Sequence, residues 1–219
     1  MVKGVIFDMD GTMLDTERLS TTVWRLAGED WNVEISKELI DSCRGKSPDM
    51  IRQIFKDRFG PNFDYDGIRN RKHEFFNEIV DRDGVPIKKG LFELLDFLKE
   101  KEIPMAVATS TEKLRGEQIL KKAGIYDYFT GYVYGDTVAA SKPDPDIFWK
   151  AAEEIGQDPK DCLVVEDTTP GVMAGKAAGG YIIHIPDVVK VPDEVKEGIT
   201  AEMKDLSEII GWICKENHL

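Results

Sequence analysis

The chain has 219 residues, 42% of them hydrophobic and 32% charged, with a formal net charge of −12. That length can bury a sizeable core, and the composition is ordinary for a globular protein; the acidic balance argues against a nucleic-acid or anionic-membrane surface. The apolar runs are far too short to cross a bilayer, the first residues lack the basic and apolar regions of a signal peptide, and Cys43, Cys162 and Cys214 form no CxxC pattern, so a cytoplasmic protein is expected.

In chain order, the first predicted strand is KGVIF at residues 3–7, and it runs directly into Asp8, Asp10, Gly11 and Thr12. From about Asp15 to Asp83 the pattern is helical, as in ERLSTTVWRLAGE and DMIRQIFKDRFG. RDGVPIKKG then reads as a return linker, with Gly84 as a candidate hinge. GLFELLDFLKE follows and places Leu91, Leu94, Leu95 and Leu98 on one helical stripe. The next strands are PMAVA, YVY, CLVVE and YIIHI. Between them, DPDIFWKAAEEIG predicts a helix with Asp144 as N-cap and Pro145 in its first position, and TPGVMAGKAAG predicts a helix of small residues pressed close to a sheet. Nearly continuous apolar strands separated by helices imply right-handed crossovers and a doubly wound parallel sheet. The expected organisation is an α/β core of residues 1–14 and 84–219 with an all-helical cap inserted at 15–83.

In open α/β sheets, ligands bind beyond the carboxyl ends of the strands. Asp8 lies at that end of the first strand, Thr109 at the end of PMAVAT, and Glu166 and Asp167 at the end of CLVVED. Lys142, in ASKPDPD, precedes a helix near the same edge. Two carboxylates about 4 Å apart repel by roughly 4 kcal/mol at an effective dielectric near 20, so the cluster calls for a cation. Mg²⁺ suits it, because that ion prefers oxygen ligands and commonly completes its shell with phosphate oxygens. Lys142 and the backbone N–H groups after Asp8 and Thr109 would hold the remaining phosphate oxygens.

The segments DMDGTMLDTE, VATST, SKPDPDIF and VVEDTTPGVMAGKAAG resemble, in order and spacing, the four motifs of the haloacid dehalogenase-like superfamily, and its β-phosphoglucomutase-like branch with a helical cap in particular. The resemblance covers nearly the whole chain. It implies a Rossmann-like core, Asp8 as nucleophile and Asp10 as general acid and then base. It implies Mg²⁺ held by Asp8, the Asp10 backbone carbonyl and Asp167, with Glu166 beside it or acting through water, and Thr109, Ser110 and Lys142 on the transferring phosphoryl group. In the cap, Arg44, Gly45, Lys46 and Ser47 fall where relatives touch substrate, and Trp24 falls where mutase relatives place a tryptophan near it. Dehalogenases lack an aspartate at the Asp10 position, which favours phosphoryl transfer. Two departures bear on mutase chemistry: Ser20 stands where β-phosphoglucomutases carry a histidine, and Pro48 where they carry an arginine. The expected activity is therefore Mg²⁺-dependent hydrolysis of a small phosphorylated metabolite, such as a sugar phosphate, by a monomer. A phosphomutase is the alternative, and a catalytically silent binding or regulatory protein on this fold is a third reading.

Overall fold

A computed structural model describes residues 1–44 and 46–219; Gly45, expected to contact substrate, lies outside the described residues. In chain order the elements are β1 (Gly4–Phe7), α1 (Thr16–Asp30), α2 (Lys37–Cys43), α3 (Pro48–Phe59), α4 (Tyr65–Asp83), α5 (Leu91–Glu100), β2 (Met105–Thr109), α6 (Lys113–Lys122), β3 (Gly131–Tyr134), α7 (Asp146–Glu154), β4 (Cys162–Glu166), α8 (Thr169–Ala178), β5 (Tyr181–His184), α9 (Asp193–Lys196), β6 (Ala201–Glu202) and α10 (Glu208–Asn217).

The strands form one parallel sheet in the order β3-β2-β1-β4-β5-β6. Every residue of β1, β2 and β4 is buried, because helices cover both faces; this is why these strands carry apolar runs and not an alternating pattern. On one face pack Leu91, Leu94, Leu95 and Leu98 of α5 with Ile209 and Ile213 of α10. On the other lie Ile147, Phe148, Ala151 and Ala152 of α7 with Ala174 and Ala178 of α8, whose small side chains bring those helices close to the sheet. Helix α7 begins one residue later than the sequence suggests: Pro145 is the N-cap, and Asp144 accepts a hydrogen bond from the Asp146 N–H at 3.0 Å. The short strand β6 was not foreseen, since two residues carry no periodicity.

Between β1 and α5 the described residues form helices only, α1 to α4, around an apolar cluster of their own. Trp24, Ile40, Phe55, Tyr65 and Ile68 are among its buried members. The chain leaves the sheet and returns to it side by side. Lys88 N–H donates to Met13 O at 3.0 Å and Asp15 N–H to Pro86 O at 2.9 Å, with Leu14 opposite Ile87 in antiparallel register. Asp187, in the loop after β5, secures this crossing by accepting from Lys88 Nζ at 2.7 Å and Arg18 at 3.2 Å.

Candidate active site

Strand order reverses at β1: the chain first builds outward through β2 and β3, then on the other side through β4, β5 and β6. Asp8 leaves β1 at that switch point, which is where open α/β sheets leave a crevice, and its N–H still donates to Val165 O at 3.0 Å. Lys142 returns over the same edge. Its ammonium, buried to 3% exposure, donates to Asp8 Oδ1 at 2.6 Å, Glu166 Oε1 at 2.7 Å and Ala108 O at 3.1 Å. The other Glu166 oxygen accepts from Asp167 N–H at 2.8 Å, Thr168 N–H at 2.8 Å and Thr168 Oγ1 at 3.0 Å. Glu166 thus supports Lys142 and the turn from β4 into α8. Asp167 Oδ1 accepts from Thr12 Oγ1 at 2.7 Å.

The electrostatics of this cluster are unbalanced. Burial pushes the Asp8 carboxyl well up, Lys142 opposes that and Glu166 reinforces it. Asp167 is likewise pushed up by burial, with Glu166 and Asp8 adding to the effect. Burial opposes the charge on Lys142, but Asp8 and Glu166 outweigh it and the ammonium is held more firmly than usual. Oxygens of Asp8, Glu166 and Asp167 come within 4.8 Å of one another. Asp8 Oδ2 and Asp167 Oδ2 have no hydrogen-bond donor among the described residues. An all-oxygen donor set with two orphaned carboxylate oxygens and an excess of negative charge fits a hard divalent cation such as Mg²⁺.

Two glycines make the cluster possible. A Cβ on Gly11, at φ +90, would run into the Asp167 carboxylate, and one on Gly171 would overlap the carboxylate of Glu166. Gly171→Ala is therefore expected to lower stability by about 1–3 kcal/mol, although alanine is the better helix former. Thermal melting tests this, and a variant as stable as the parent chain would mean that Glu166 can be displaced at no cost.

Asp10 stands apart from the acid trio. Its Oδ1 accepts from Thr16 Oγ1 at 2.6 Å and its Oδ2 from Thr111 Oγ1 at 2.8 Å. Thr16 opens α1 and Thr111 follows β2, so Asp10 is gripped from both the helical insert and the sheet. Asp8, Asp10, Thr109, Ser110, Thr111 and Lys142 line a single cavity of ≈ 180 Å³ between the two. That is smaller than the roughly 300–1,000 Å³ usual for drug-sized ligands. Thr109 is buried and its Oγ1 accepts from Thr111 N–H at 3.1 Å.

The insert brings some expected residues to this cavity and withholds others. Lys46 and Trp24 line it, but Trp24 is mainly a core residue, with ring centroids 4.8 Å from Phe55 and 6.5 Å from Tyr65. Arg44 reaches the cavity wall, yet its guanidinium is paired with Glu17 and Asp41 and donates to Thr21 Oγ1 at 2.8 Å. It ties α2 to α1, contrary to the expectation that it is free to grip substrate. Ser47 also differs from expectation: it is the N-cap of α3, accepting from Met50 N–H, and is not part of the cavity lining. Ser20 and Pro48, the two departures noted above, do line it.

Sequence reasoning missed Thr16, Thr111, Arg69, Lys72, His73 and Arg115, all of which line the cavity. Burial, with Arg115 beside it, pushes the Lys72 ammonium down to about 8. Burial and Lys72 hold the His73 imidazole well below its usual range. The one available signal was position: Thr16 lies six residues after Asp10, and Lys72 and Arg69 are three apart on one helix.

A doubly wound parallel sheet with acids at its switch point and a helical insert over them defines the class of protein. The match to haloacid dehalogenase-like hydrolases spans residues 2–179. A phosphorylated carbohydrates phosphatase of Thermotoga maritima is 31% identical over 182 residues, covering 81% of this chain and 82% of that one. A β-phosphoglucomutase of Bacillus subtilis is 28% identical over 193 residues, covering 84% and 83%. The chain spans about half, 49%, of a bifunctional riboflavin kinase/FMN phosphatase of Arabidopsis thaliana, at 31% identity over 191 residues and 85% of its own length. The structure of CbbY from Rhodobacter sphaeroides in complex with phosphate superposes with a TM-score of 0.82 over 95% of this chain and 96% of that one, at 24% identity, which speaks to fold. The chain belongs to the haloacid dehalogenase-like hydrolase family. Its relatives there carry the names of phosphoryl-transfer enzymes, phosphatases and a β-phosphoglucomutase alike. No helix among the described residues is long and apolar enough to cross a membrane.

Proposed function

We propose that the chain is a Mg²⁺-dependent phosphatase of a small phosphorylated metabolite, a sugar phosphate among the candidates, working through an aspartyl-phosphate on Asp8. The observation that carries this is the pairing of Asp8 with Lys142 on the floor of a small, cation-lined cavity, with Asp10 two residues on and gripped at both oxygens. A carboxylate oxygen of Asp8 attacks phosphorus, and Lys142 holds the carboxylate in place through Oδ1. As the ester O–P bond breaks, Asp10 in its acid form gives its proton to the leaving oxygen. The resulting Asp10 carboxylate then takes a proton from the water that attacks the aspartyl-phosphate, which releases phosphate and restores Asp8. Such acid–base assistance is typically worth about 10²–10⁴-fold. Thr16 and Thr111 keep Asp10 aimed through both half-reactions, and Lys142, Thr109 and Ser110 bind the phosphoryl oxygens. Asp8, Asp167 and the Asp10 carbonyl would hold Mg²⁺, with Glu166 acting through Lys142 or water. When bound, the ion offsets the negative charge on the transferring group.

Hydrolysis is preferred over mutase chemistry because Ser20 and Pro48, both at the cavity, replace the histidine and arginine of the mutases. A panel of phosphate esters assayed for both free phosphate and isomerised product tests the choice. Phosphate release is expected; an isomer formed in the presence of a bisphosphate activator would establish the mutase. Excess EDTA should abolish turnover and added Mg²⁺ should restore it, whereas turnover that persists in the chelator would overturn the metal assignment.

A further inference from the structure

A second cavity, of ≈ 530 Å³, shares no lining residue with the catalytic one. It wraps the edge strand β3, between α6 on one face of the sheet and α7 on the other. Tyr134 lines it, is 2% exposed, and has a buried hydroxyl with no hydrogen-bond partner among the described residues. Buried hydroxyls are nearly always satisfied, so this one points to a group the chain does not supply. Burial and then Glu117 hold its proton more firmly than usual, which leaves a neutral oxygen able to accept a hydrogen bond. The Tyr132 ring lies nearly parallel to its neighbours, 4.6 Å from Tyr126 and 6.4 Å from Tyr134, so the cavity has an aromatic wall. One cation already rests there: the Lys121 ammonium is 4.6 Å from the Tyr126 centroid, as ring faces attract positive charge.

The charges around the cavity have the opposite sign to that ligand. Its two lysines are engaged, Lys150 with Asp146 at 3.2 Å and Lys113 with Glu117 at 4.0 Å. Glu153 and Glu154 also line it and have no cationic partner among the described residues. Both sit at the C-terminal end of α7, whose last turn holds no basic residue and whose dipole already makes that end negative. Among the described residues only Asp8, Glu166 and Asp167 come close enough to share one metal ion. The glutamates here are too widely spread for that, and call instead for a cation with its charges set apart.

We infer that this cavity binds a small aliphatic polyamine, with one ammonium group donating to the Tyr134 hydroxyl and others facing Glu153 and Glu154. The methylene segments between the ammonium groups would lie along the tyrosine wall. The site is separate from the catalytic cavity and does not depend on the phosphatase reading.

Calorimetry of the full chain with spermidine tests this, in physiological salt and with excess Mg²⁺ present to compete for any divalent-cation site. One-to-one binding is expected, with a Kd of about 1 mM or tighter. The pair Glu153→Gln and Glu154→Gln should weaken it by about 10–100-fold, as charged hydrogen bonds imply, and Tyr134→Phe by about 3–10-fold. The pair Glu93→Gln and Glu100→Gln removes the same charge from α5, on the other face of the sheet, and should leave binding within about twofold. Tyr134→Phe loses no hydrogen bond within the chain, so without spermidine it should melt no lower than the parent, which separates lost binding from lost fold. No saturable binding would overturn the site. So would binding by the Glu153/Glu154 variant or by Tyr134→Phe within about twofold of the parent, or an equal loss in the α5 control, which would mean attraction to net charge alone.

Discussion

Replacing Asp8 by asparagine is expected to reduce turnover by at least about 10⁴-fold, the scale seen when a nucleophile is removed from a preorganised site, while the chain stays folded. The amide oxygen can still accept from Lys142, whose 2.6 Å bond is to Oδ1, and the side-chain volume barely changes. What disappears is a buried negative charge that burial and Glu166 both disfavour. The melting temperature in metal-free buffer should therefore be no lower than that of the parent chain. Activity retained in Asp8→Asn would exclude the covalent pathway outright. Loss of both activity and fold would instead mean that Asp8 is chiefly structural.

The second large effect is expected at Lys142, where Lys142→Met should damage stability and chemistry together. Its ammonium is the shared partner of Asp8 and Glu166, all three nearly inaccessible to solvent. Removing one member of a buried ion pair typically costs about 3–5 kcal/mol, because the remaining charges are left unpaired. Denaturant unfolding should show a loss of that order. Turnover should fall by roughly 10²–10³-fold further, as when a preorganised electrostatic group is deleted. Mg²⁺ should restore part of the lost stability by neutralising Asp8, but not the lost rate. A Lys142→Met chain as stable as its parent would show that the buried cluster around Asp8 needs no cation.

The strands and the acids were legible in the sequence because each leaves a local mark. Buried parallel strands read as short apolar runs, and Asp8, Glu166 and Asp167 are conspicuous where such runs end. Lys142 was legible by its place before a helix near that edge. Partnerships across long stretches of chain were not. Arg44 meets Glu17 only because α1 and α2 pack together, 27 residues apart, and until then it reads as a loop cation available to a ligand. Arg69, Lys72 and Arg115 were overlooked for the opposite reason: a cation on a helix ordinarily marks a solvated face, and only the meeting of α4 with α6 turns these inward. Ser47 was read as a contact when its hydroxyl caps α3, the commonest use of a serine at that place.

The paired crossing at Met13–Asp15 and Pro86–Lys88 has a mechanical consequence. Two tethers laid side by side, cross-bonded and pinned by Asp187, act as a leaf hinge: they bend across their plane and resist sliding within it. For any swing of the helical insert, displacement grows with distance from that axis. Thr16, one residue beyond the crossing, travels least and stays in register with Asp10, while Lys46 and Lys72 ride on the long arm. On the proposed function, the proton-handling parts would lie at the pivot and the ligand-reading parts at the tip, so the tip could be remodelled for a different ligand without detuning the acid at its base.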